Sequence, residues 1–294
     1  MMYLPDGVSL NRLEQILREM SWEVADTLIS YSKDIHSNKE KQFKFKVIES
    51  DEGPVTSADL AANQIIIHNL NQEFTDIDWC IVSEETIKKE PHVNLSSKDW
   101  VWMIDPLDGT KDYIQGTGEY AVHIALLYKR SPVIGVVLIP EREELWFGFK
   151  NDKAWYEDRL GRKTFLEIKQ NKQLDSMVSV SSKNHSNNDL QKILRNLNFK
   201  TNLHMGSVGY KVASILRGDT DIYLSISGKT APKDWDMAAP YAIIKAAGGE
   251  FTNSNGNNLV FLKNKFLQEG VIVASLNKNH QNICSLIREE EKVL

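Results

Sequence analysis

Residues 120–156 contain a run of short β-rich segments that are separated by only a few turn-forming residues. The segments are Tyr120–Tyr128, Val133–Ile139, Leu145–Phe149 and Ala154–Tyr156. Parallel strands need a long crossover between them, whereas connections this short join neighbouring strands as hairpins. The sequence therefore predicts an antiparallel sheet in this part of the chain.

Helical periodicity is the main feature of the N-terminal part. Apolar residues at helical spacing predict an amphipathic helix over residues 9–31, and a second helix is predicted over residues 57–71. We expect the polar, lysine-rich stretch of residues 32–46 to be a mobile loop. Two short strands, at 78–82 and 100–104, are predicted next, and acidic residues follow each of them directly.

The polar stretch at residues 169–175 is typical of a boundary between two units. Beyond it, strands are predicted at 178–181, 221–224 and 271–274, and helices at 189–197, 209–217, 235–247 and from residue 279. The complete pattern predicts an α+β fold of two sub-domains. The first, residues 1–175, carries helices and a mainly antiparallel sheet, and the second, residues 176–294, alternates strands with helices.

Composition excludes several classes of protein. The chain of 294 residues is 41% hydrophobic and 26% charged, which is typical of a globular protein and not of a disordered chain. Its net charge of −5 argues against binding a nucleic-acid polymer. Cys80 and Cys284 form no disulfide framework and favour a reducing compartment. The start of the chain lacks a signal-peptide core and no apolar run is long enough for a membrane span, so we expect a soluble cytoplasmic protein of open oligomeric state.

The segment Asp105-Pro-Leu-Asp-Gly-Thr110 is the strongest chemical signal. Alone, it fits a turn with a helix cap as well as it fits a functional site. Other acidic residues favour the site: Glu84, Glu85, Asp234 and Asp236. Converging carboxylates repel one another unless a cation lies between them. Oxygen ligands suit Mg²⁺, Ca²⁺ or Mn²⁺, and because the spacing does not fit an EF-hand, Mg²⁺ with a phosphate as shared ligand is the leading hypothesis.

Five motifs occur in order between residues 55 and 239. They are Val55-Thr-Ser-Ala-Asp59, Ser83-Glu-Glu85, Trp102-Met-Ile-Asp-Pro-Leu-Asp-Gly-Thr-Lys111, Gly206-Ser-Val-Gly-Tyr-Lys211 and Trp235-Asp-Met-Ala-Ala239. Together they resemble the inositol monophosphatase family of Mg²⁺-dependent, lithium-sensitive phosphatases. Within it the chain is most similar to the 3'(2'),5'-bisphosphate nucleotidases of sulfate assimilation. The resemblance implies a layered α/β/α/β/α sandwich and a small phosphorylated substrate.

The resemblance also implies residue roles. It assigns two or three Mg²⁺ ions to the side chains of Glu84, Asp105, Asp108 and Asp236 and the backbone carbonyl of Leu107. Glu85 is a weaker candidate for a ligand. Asp59 would polarise the hydroxyl of Thr110, which would contact the attacking water. From the sequence without the resemblance, the preferred interpretation of Asp59 is a charge at a helix start that favours the helix dipole.

Substrate contacts are predicted on both sides of this acidic group. The backbone N–H groups of Gly109 and Thr110, at a predicted helix start, would face phosphate oxygens, and Asp236 would close the site. By the resemblance, further contacts are expected from Lys111, His185, Ser207 and Lys211. An ordinary loop histidine is an equal alternative for His185, and a solvated helix lysine is the alternative for Lys211. Ser225 stands where the nucleotidases often carry arginine, so that one phosphate contact is absent or is replaced by Lys229 or Lys233.

Three functions compete at this point. The first is a phosphatase that removes the 3'-phosphate of 3'-phosphoadenosine 5'-phosphate or of its phosphosulfate. The second is an inositol or sugar monophosphatase on the same fold. The third is a catalytically silent phosphate-binding regulator, against which the complete acidic set and the Asp59–Thr110 pair argue.

Overall fold

A computed structural model of the chain describes residues 4–37, 47–50, 53–89, 98–151, 153–166, 171–185, 187–227 and 231–293. The described residues form helices α1 (Leu10–Ser37), α2 (Ser57–Glu73), α3 (Glu84–Lys89), α4 (Thr110–Gln115), α5 (Asn188–Asn196), α6 (Val208–Arg217), α7 (Asp234–Ala246) and α8 (His280–Glu291). None of these helices is long and apolar enough to cross a membrane.

The described strands form three sheets. They are β1 (Val47–Ser50), β2 (Gly53–Thr56), β3 (Trp79–Ser83), β4 (Trp100–Asp108), β5 (Ala121–Tyr128), β6 (Ser131–Ile139), β7 (Glu144–Phe149), β8 (Ala154–Asp158), β9 (Lys163–Phe165), β10 (Val178–Ser182), β11 (Thr201–Met205), β12 (Ile222–Ser227), β13 (Glu250–Asn253) and β14 (Gly270–Ser275). β1 and β2 form a hairpin, β3 to β9 form a seven-stranded sheet in sequence order, and the third sheet has the order β11-β10-β12-β14-β13.

The seven-stranded sheet is mainly antiparallel, as predicted. Its strands β4 to β9 pair antiparallel in succession, and only β3 and β4 run parallel. The five-stranded sheet is mixed, because β10 runs parallel to both β11 and β12, whereas β14 runs antiparallel to β12 and β13.

Three apolar clusters stack these elements into five layers. Leu17 of α1 and Ile66 of α2 pack on one face of the seven-stranded sheet. On its other face, α6 and α7 lie between the two large sheets, so that Ile243 belongs to one cluster with residues of both. Ile193 of α5 and Ile287 of α8 cover the outer face of the five-stranded sheet. The order α/β/α/β/α confirms the predicted layered fold.

Two glycines let α7 lie directly on the seven-stranded sheet. A Cβ atom at Gly135 of β6 would lie 2.4 Å from the carbonyl oxygen of Ala239, and one at Gly148 of β7 would lie 2.5 Å from Cα of Ile243. Real Cβ atoms do not approach so closely, because core atoms already meet at van der Waals distance. The lack of a side chain at both glycines therefore lets α7, whose first turn contains Asp236, pack directly on the sheet.

The structure corrects some sequence predictions for individual elements. Residues 32–37 continue α1 and so are not the loop that was predicted there, while residues 38–46 lie outside the described residues. The strands β1, β2, β9, β11 and β13 were not predicted, nor was the short helix α3. Each of these strands lies at the edge of its sheet, and β11 has mostly exposed, polar residues without the apolar alternation that is typical of a strand. The sub-domain division at residue 175 stays a prediction.

Candidate active site

Glu84 and Asp105 meet because β3 and β4 run parallel. Ser83 pairs with Ile104 in the register of these strands, so that the next residues, Glu84 at the start of α3 and Asp105 within β4, lie side by side at the end of β3. The carboxyl ends of parallel strands meet at one edge, where ligands commonly bind in α/β proteins. The short helix α3 begins at Glu84 itself.

A β-bulge turns Asp105 and Asp108 toward the same side. Asp105 pairs with His123 and Asp108 pairs with Ala121, so three steps along β4 match two steps along β5. Without the extra residue, side chains three apart in a strand would point to opposite faces. The N–H of Leu107 donates to Oδ1 of Asp105 at 3.0 Å, and the carbonyl of Leu107 accepts from Oγ1 of Thr110 at 3.2 Å.

Asp236 reaches the same point from the first turn of α7. Its Oδ2 accepts a hydrogen bond from the backbone N–H of Lys233 at 2.8 Å, which is the local contact expected of an acidic residue at this helix position. Asp234 does not join the cluster, because its carboxylate accepts from the N–H of Leu262 and from Nε2 of Gln268. Burial raises the pKa of Asp234 to about 6. Trp235 packs against Phe266 and is almost fully buried.

The four acidic side chains act on one another. Burial raises the pKa of Asp105 well above its usual value, and the charges of Glu84, Asp108 and Asp236 add to this. Burial, followed by the charges of Asp108 and Glu84, raises the pKa of Asp236 as well. The structure thus brings together the four carboxylates that the sequence predicted, at a point where the neighbouring charges disfavour ionisation of Asp105 and Asp236.

Lys88 holds the glutamate pair at the start of α3. Its Nζ lies 2.9 Å from Oε1 of Glu84 and 3.1 Å from Oε1 of Glu85. Burial of Glu84 raises its pKa, and Lys88 opposes that shift. Glu85 is 2% exposed, and its charge acts on Asp59 as well, so it lies close to the site. The sequence analysis did not single out Lys88, although its spacing of four residues from Glu84 is the usual signal for a helical ion pair.

Asp59 and Thr110 are in contact. Thr56 and Asp59 form a capping box at the start of α2, in which the N–H of Thr56 donates to Oδ2 of Asp59 at 2.8 Å. The other oxygen, Oδ1, accepts from Oγ1 of Thr110 at 3.3 Å. Burial raises the pKa of Asp59 from its usual 3.8 to about 7. Both interpretations of Asp59 are therefore compatible with the structure: it stabilises the start of α2, and it lies within hydrogen-bond distance of Thr110.

Gly109 starts α4 in a backbone conformation that favours glycine. Its φ is 91° and its ψ is 38°, in the left-handed region, and a Cβ atom there would lie 3.2 Å from the carbonyl oxygen of Glu119 and from Cβ of Ser207. The predicted helix start at Thr110 is confirmed. Ser207 thus lies against the glycine that follows the acidic motif.

Ser207 and Lys211 begin α6 beside this glycine. Oγ of Ser207 accepts from the N–H of Tyr210 at 3.0 Å and so caps the helix. Lys211 is 1% exposed, which excludes the alternative of a solvated helix lysine. Its Nζ donates to the carbonyl of Gly206 and lies 5.7 Å from the ring centre of Tyr223. Burial lowers the pKa of Lys211 to about 8, against the opposing effect of Asp108 and other acidic residues.

Lys111 and His185 lie at the exposed rim of the same region. Partial desolvation and then the charges of Lys111 and Lys211 lower the pKa of His185. The negative charge of Asp108 also acts on its ring, in the opposite direction. His185 is therefore near the predicted phosphate region, and its contact with substrate stays a prediction.

An ion-pair network that the sequence analysis missed ties α4 to the loop before α6. Nζ of Lys183 lies 2.5 Å from Oδ1 of Asp112 and 2.9 Å from Oε2 of Glu119. The same Glu119 oxygen accepts from the N–H of Gly206 at 2.8 Å, and Asn184 donates to Asp112 at 2.7 Å. The network joins α4, which follows Gly109 in the chain, to the segment at Gly206. The partners are 64 to 87 residues apart in the chain, and no local pattern reveals such a pairing.

His123 is a second residue that the sequence analysis missed. It is fully buried in β5, and its Nε2 lies 3.5 Å from Oδ2 of Asp108. Ligand atoms of Asp105, Asp108 and His123 lie within 4.8 Å of one another. A lone histidine inside the apolar run Ala121–Tyr128 was the available signal, since such a position normally takes an apolar side chain.

Ser225 lies on β12, nearly buried, and its Oγ makes no hydrogen bond within the described part of the chain. Ser225 is two positions from Tyr223 on this strand, so the two side chains lie on the same face of the sheet. The Tyr223 ring on that face is the ring close to Nζ of Lys211. Lys229 lies outside the described residues, and Lys233 is at the N-cap of α7 with its Nζ 5.8 Å from the ring centre of Trp235.

The donors around this point fit a hard divalent cation. Carboxylate oxygens converge from the start of α3, from β4 and from the start of α7. Leu107, which lies between Asp105 and Asp108 in the sequence, adds a backbone carbonyl oxygen. No sulfur ligand is near, since Cys284 contacts Thr252 and Cys80 lies on the first strand of the sheet. Such oxygen sets bind Mg²⁺, Ca²⁺ or Mn²⁺. The raised pKa values of Asp105 and Asp236 agree with such a site, because a cation would offset the repulsion that disfavours their ionised forms.

Comparison with known proteins agrees with this fold. The model of the inositol monophosphatase family matches residues 9–292. Curated relatives include the 3'(2'),5'-bisphosphate nucleotidase CysQ of Buchnera aphidicola, 33% identical over 71% of this chain and 74% of that protein. The same-named protein of Salmonella typhimurium is 32% identical over 76% of this chain and 85% of its own length.

Solved structures show the same fold. The IMPase of Thermotoga maritima superposes with a TM-score of 0.75 at 20% identity, covering 96% of this chain and 99% of that one. The inositol monophosphatase of Anabaena gives 0.73 at 21% identity, covering 96% and 97%. The chain therefore belongs to the inositol monophosphatase family. It is a phosphatase of that family, and the resemblance to the bisphosphate nucleotidases is confirmed by the relatives that carry this name.

Proposed function

We propose that this protein is a Mg²⁺-dependent phosphatase that removes the 3'-phosphate of 3'-phosphoadenosine 5'-phosphate, or of its phosphosulfate, and releases AMP or adenylyl sulfate. The observation that carries the proposal is the convergence of Glu84, Asp105, Asp108 and Asp236 beside the hydrogen-bonded pair of Asp59 and Thr110. The four carboxylates can bind cations, and the side chains of Asp59 and Thr110 can orient a water molecule.

Metal ligation is assigned to the four carboxylates and the carbonyl of Leu107. Bound Mg²⁺ supplies a water molecule of lowered pKa and neutralises charge on the phosphate. The raised pKa values of Asp105 and Asp236 support this role, because a cation between the carboxylates would stabilise the ionised forms that burial disfavours. Lys88 contacts both glutamates, and Glu85 is left out of the proposed ligand set because the family pattern assigns this role to the first glutamate of the pair.

Asp59 and Thr110 are proposed to orient the attacking water. The one proton of the Thr110 hydroxyl is shared between Oδ1 of Asp59 at 3.3 Å and the carbonyl of Leu107 at 3.2 Å, so its lone pairs remain to accept a hydrogen bond from water. With a pKa near 7, Asp59 can hold or release a proton at the pH of the cell, which suits a general base. Oδ2 of Asp59 stays fixed by the backbone of Thr56, which keeps the carboxylate in one orientation.

Binding of the reacting phosphate is assigned to the start of α4. The first N–H groups of a helix have no acceptor within the helix, and an anion is a suitable partner for them. Gly109 allows the backbone to approach the phosphate because it has no side chain in the way. The ion pairs of Lys183 hold α4 against the segment of Gly206 and Ser207.

The choice of a bisphosphorylated nucleotide is supported by two lysines close together in an acidic protein. Lys111 and Lys211 both act on His185 beside the acidic cluster, although the whole chain has a net charge of −5. A second phosphate needs such a pair in addition to the metal ions. The curated relatives at about 30% identity are bisphosphate nucleotidases, which agrees with this choice.

A monophosphatase acting on inositol or sugar phosphates is the second candidate. The solved structures with the same fold include inositol monophosphatases. Ser225 favours this alternative, because a serine hydroxyl on β12 offers no positive charge to a second phosphate. A catalytically silent regulator is disfavoured by the intact contact between Asp59 and Thr110.

Phosphate release from a panel of substrates tests the proposal. The panel contains 3'-phosphoadenosine 5'-phosphate, its phosphosulfate, AMP and inositol 1-phosphate, each with Mg²⁺ or with EDTA. We expect the highest kcat/KM for the two 3'-phosphorylated nucleotides, no release with EDTA, recovery with added Mg²⁺, and inhibition by Li⁺. Asp105→Asn is the inactive control. A higher kcat/KM for inositol 1-phosphate would contradict the substrate assignment, and full activity in verified metal-free protein would contradict the metal assignment.

A further inference from the structure

His123 is a buried histidine without a well-formed hydrogen bond. Its side chain is 0% exposed, and among the residues that the structure describes its nearest acceptors are Oδ2 of Asp108, at the long distance of 3.5 Å, and the backbone carbonyl of Trp235. Leaving a buried polar group unpaired costs about 1–3 kcal/mol. An apolar side chain would pack in this apolar strand without that cost, so the imidazole points to a role beyond filling the core.

Two segments of the acidic cluster surround this ring. Nε2 lies 3.5 Å from Oδ2 of Asp108, and His123 pairs with Asp105 across the bulge of β4. The backbone carbonyl of Trp235, the residue before Asp236, also acts on the ring. His123 therefore lies between the strand end that carries Asp108 and the helix start that carries Asp236.

Gly209 confines the ring to this place. A Cβ atom at Gly209 would lie 2.2 Å from Nε2 of His123. The neighbouring N–H of Val208 donates to Oδ2 of Asp108 at 2.6 Å, so the start of α6 and His123 face the same carboxylate oxygen. The other oxygen, Oδ1, is left for a cation.

We infer that His123 is a positioning residue of the metal site, whose Nε2–H donates to Oδ2 of Asp108 and so directs Oδ1 toward the cation. A neutral imidazole has one N–H donor, and Nε2 is the nitrogen that faces the carboxylate. His123 is not itself a ligand, because it faces the oxygen that Val208 already holds. The inference rests on the proposed metal-dependent function.

The test measures Mn²⁺ binding by titration calorimetry and by electron paramagnetic resonance, together with the melting temperature of the metal-free protein. Changing a residue that orients a metal ligand typically lowers metal affinity about 10–100-fold. We expect His123→Leu to lower Mn²⁺ affinity by that factor while the metal-free melting temperature stays the same or rises, because an unpaired polar group is removed. His123→Gln, which places an amide N–H near the position of Nε2, should restore most of the affinity.

His280 provides the matched control. It is equally buried but far from the cluster, and its two nitrogens contact Oγ1 of Thr252 and Oγ of Ser275 at 2.8 and 2.9 Å. His280→Leu should lower the melting temperature and leave Mn²⁺ affinity unchanged. Replacing His123 should thus lower Mn²⁺ affinity without lowering the melting temperature, and replacing His280 should lower the melting temperature without changing Mn²⁺ affinity. A general loss of structure would lower both quantities in either variant.

Each contrary result has a distinct meaning. Unchanged Mn²⁺ affinity in both His123→Leu and a folded His123→Gln would overturn the positioning role and leave the proposed function intact. A resolved coupling to a directly bound nitrogen in wild type, absent in His123→Gln, would overturn it in favour of direct ligation. A wild-type protein that binds neither Mn²⁺ nor Mg²⁺ would contradict the proposed function together with this inference.

Discussion

Oδ1 of Asp59 accepts a hydrogen bond from Oγ1 of Thr110 at 3.3 Å, across 51 residues of chain. The contact joins the start of α2 to the start of α4. Because Asp59 is held at its other oxygen by the capping box with Thr56, Thr110 meets a carboxylate with a fixed direction. A residue that stabilises a helix end thereby becomes available to polarise a hydroxyl group.

Asp59→Asn and Thr110→Ala are expected to slow turnover without removing the metal. Loss of assisted proton transfer should lower kcat by roughly 10²–10⁴-fold. Neither side chain is in the proposed ligand set, so Mg²⁺ affinity should change little. Single-turnover phosphate release and calorimetric titration measure the two quantities. Asp78→Asn, at an exposed carboxylate, is the control that should behave as wild type.

Two results would revise these roles. Loss of Mg²⁺ binding in Asp59→Asn would place Asp59 among the metal ligands. An unchanged kcat would leave it only as a helix cap, and the variant would then show a lower melting temperature alone, since replacing a cap costs about 0.5–2 kcal/mol.

Asp105→Asn and Asp236→Asn should give the opposite pattern. Each replaces a carboxylate of the converging group by a neutral amide, so Mg²⁺ binding and most turnover should be lost. The metal-free protein should become more stable, because burial and mutual repulsion already raise the pKa values of these acids. Chemical denaturation with and without Mg²⁺ measures both effects. Wild-type Mg²⁺ affinity in either variant would exclude that residue as a ligand.

Stability of the metal-free protein should fall as pH rises from about 4 to about 7 because of Asp59. Its pKa is near 3.8 in the unfolded chain and about 7 in the folded protein, so the folded state binds the extra proton between these values. The protonated form stabilises the fold most at low pH, and this contribution is lost as pH rises through 7. The effect is at most about 4 kcal/mol.

Denaturation of wild type and Asp59→Asn across this pH range isolates the contribution. The difference in unfolding free energy between the two proteins should change with pH in the stated direction in EDTA and should flatten with Mg²⁺. A difference that is constant from pH 4 to pH 8 would show that Asp59 keeps an ordinary pKa in the folded protein.

Gly109→Ala should damage both stability and activity. The backbone at this position is left-handed, and the added Cβ would press on the carbonyl of Glu119 and on Ser207. Strain of this kind costs about 1–3 kcal/mol. Gly161→Ala is the matched control, because its φ is also positive but no atom lies within 4 Å of the added Cβ. We expect similar conformational strain in both, and a loss of kcat/KM only in Gly109→Ala.

Local patterns predicted most of the helices and the central strands, whereas the layered order of the fold and the set of four acidic ligands were implied by the family resemblance. Strong apolar runs mark the central strands, and Asp105 and Asp108 stand in one short motif. The sequence could not show that a bulge brings these two side chains together, since a bulge depends on the pairing of β4 with β5. For the same reason the sequence did not reveal that His123 lies beside Asp108.

The residues near the proposed second phosphate were harder to predict. The motif Gly206–Lys211 indicated Lys211 as a candidate substrate contact. Its full burial and its hydrogen bond to the carbonyl of Gly206 arise from the packing of α6 between the sheets. The ends of α1 also depend on tertiary contacts, which is why the polar residues 32–37 continue the helix where a loop was predicted. Long-range packing, and not local propensity, decides each of these features.

Lys211→Met is expected to separate the two candidate substrates. The substitution keeps the length and apolar stem of the buried side chain and removes its charge, which lies near the acidic cluster and His185. If Lys211 serves the second phosphate, kcat/KM for 3'-phosphoadenosine 5'-phosphate should fall by the equivalent of about 1.5–3 kcal/mol, the value of a hydrogen bond to a charged group. Inositol 1-phosphate has no second phosphate, so its kcat/KM should change by much less. Because Lys211 also binds the carbonyl of Gly206, equal losses on both substrates would mean that it holds the loop before α6 and does not recognise the second phosphate.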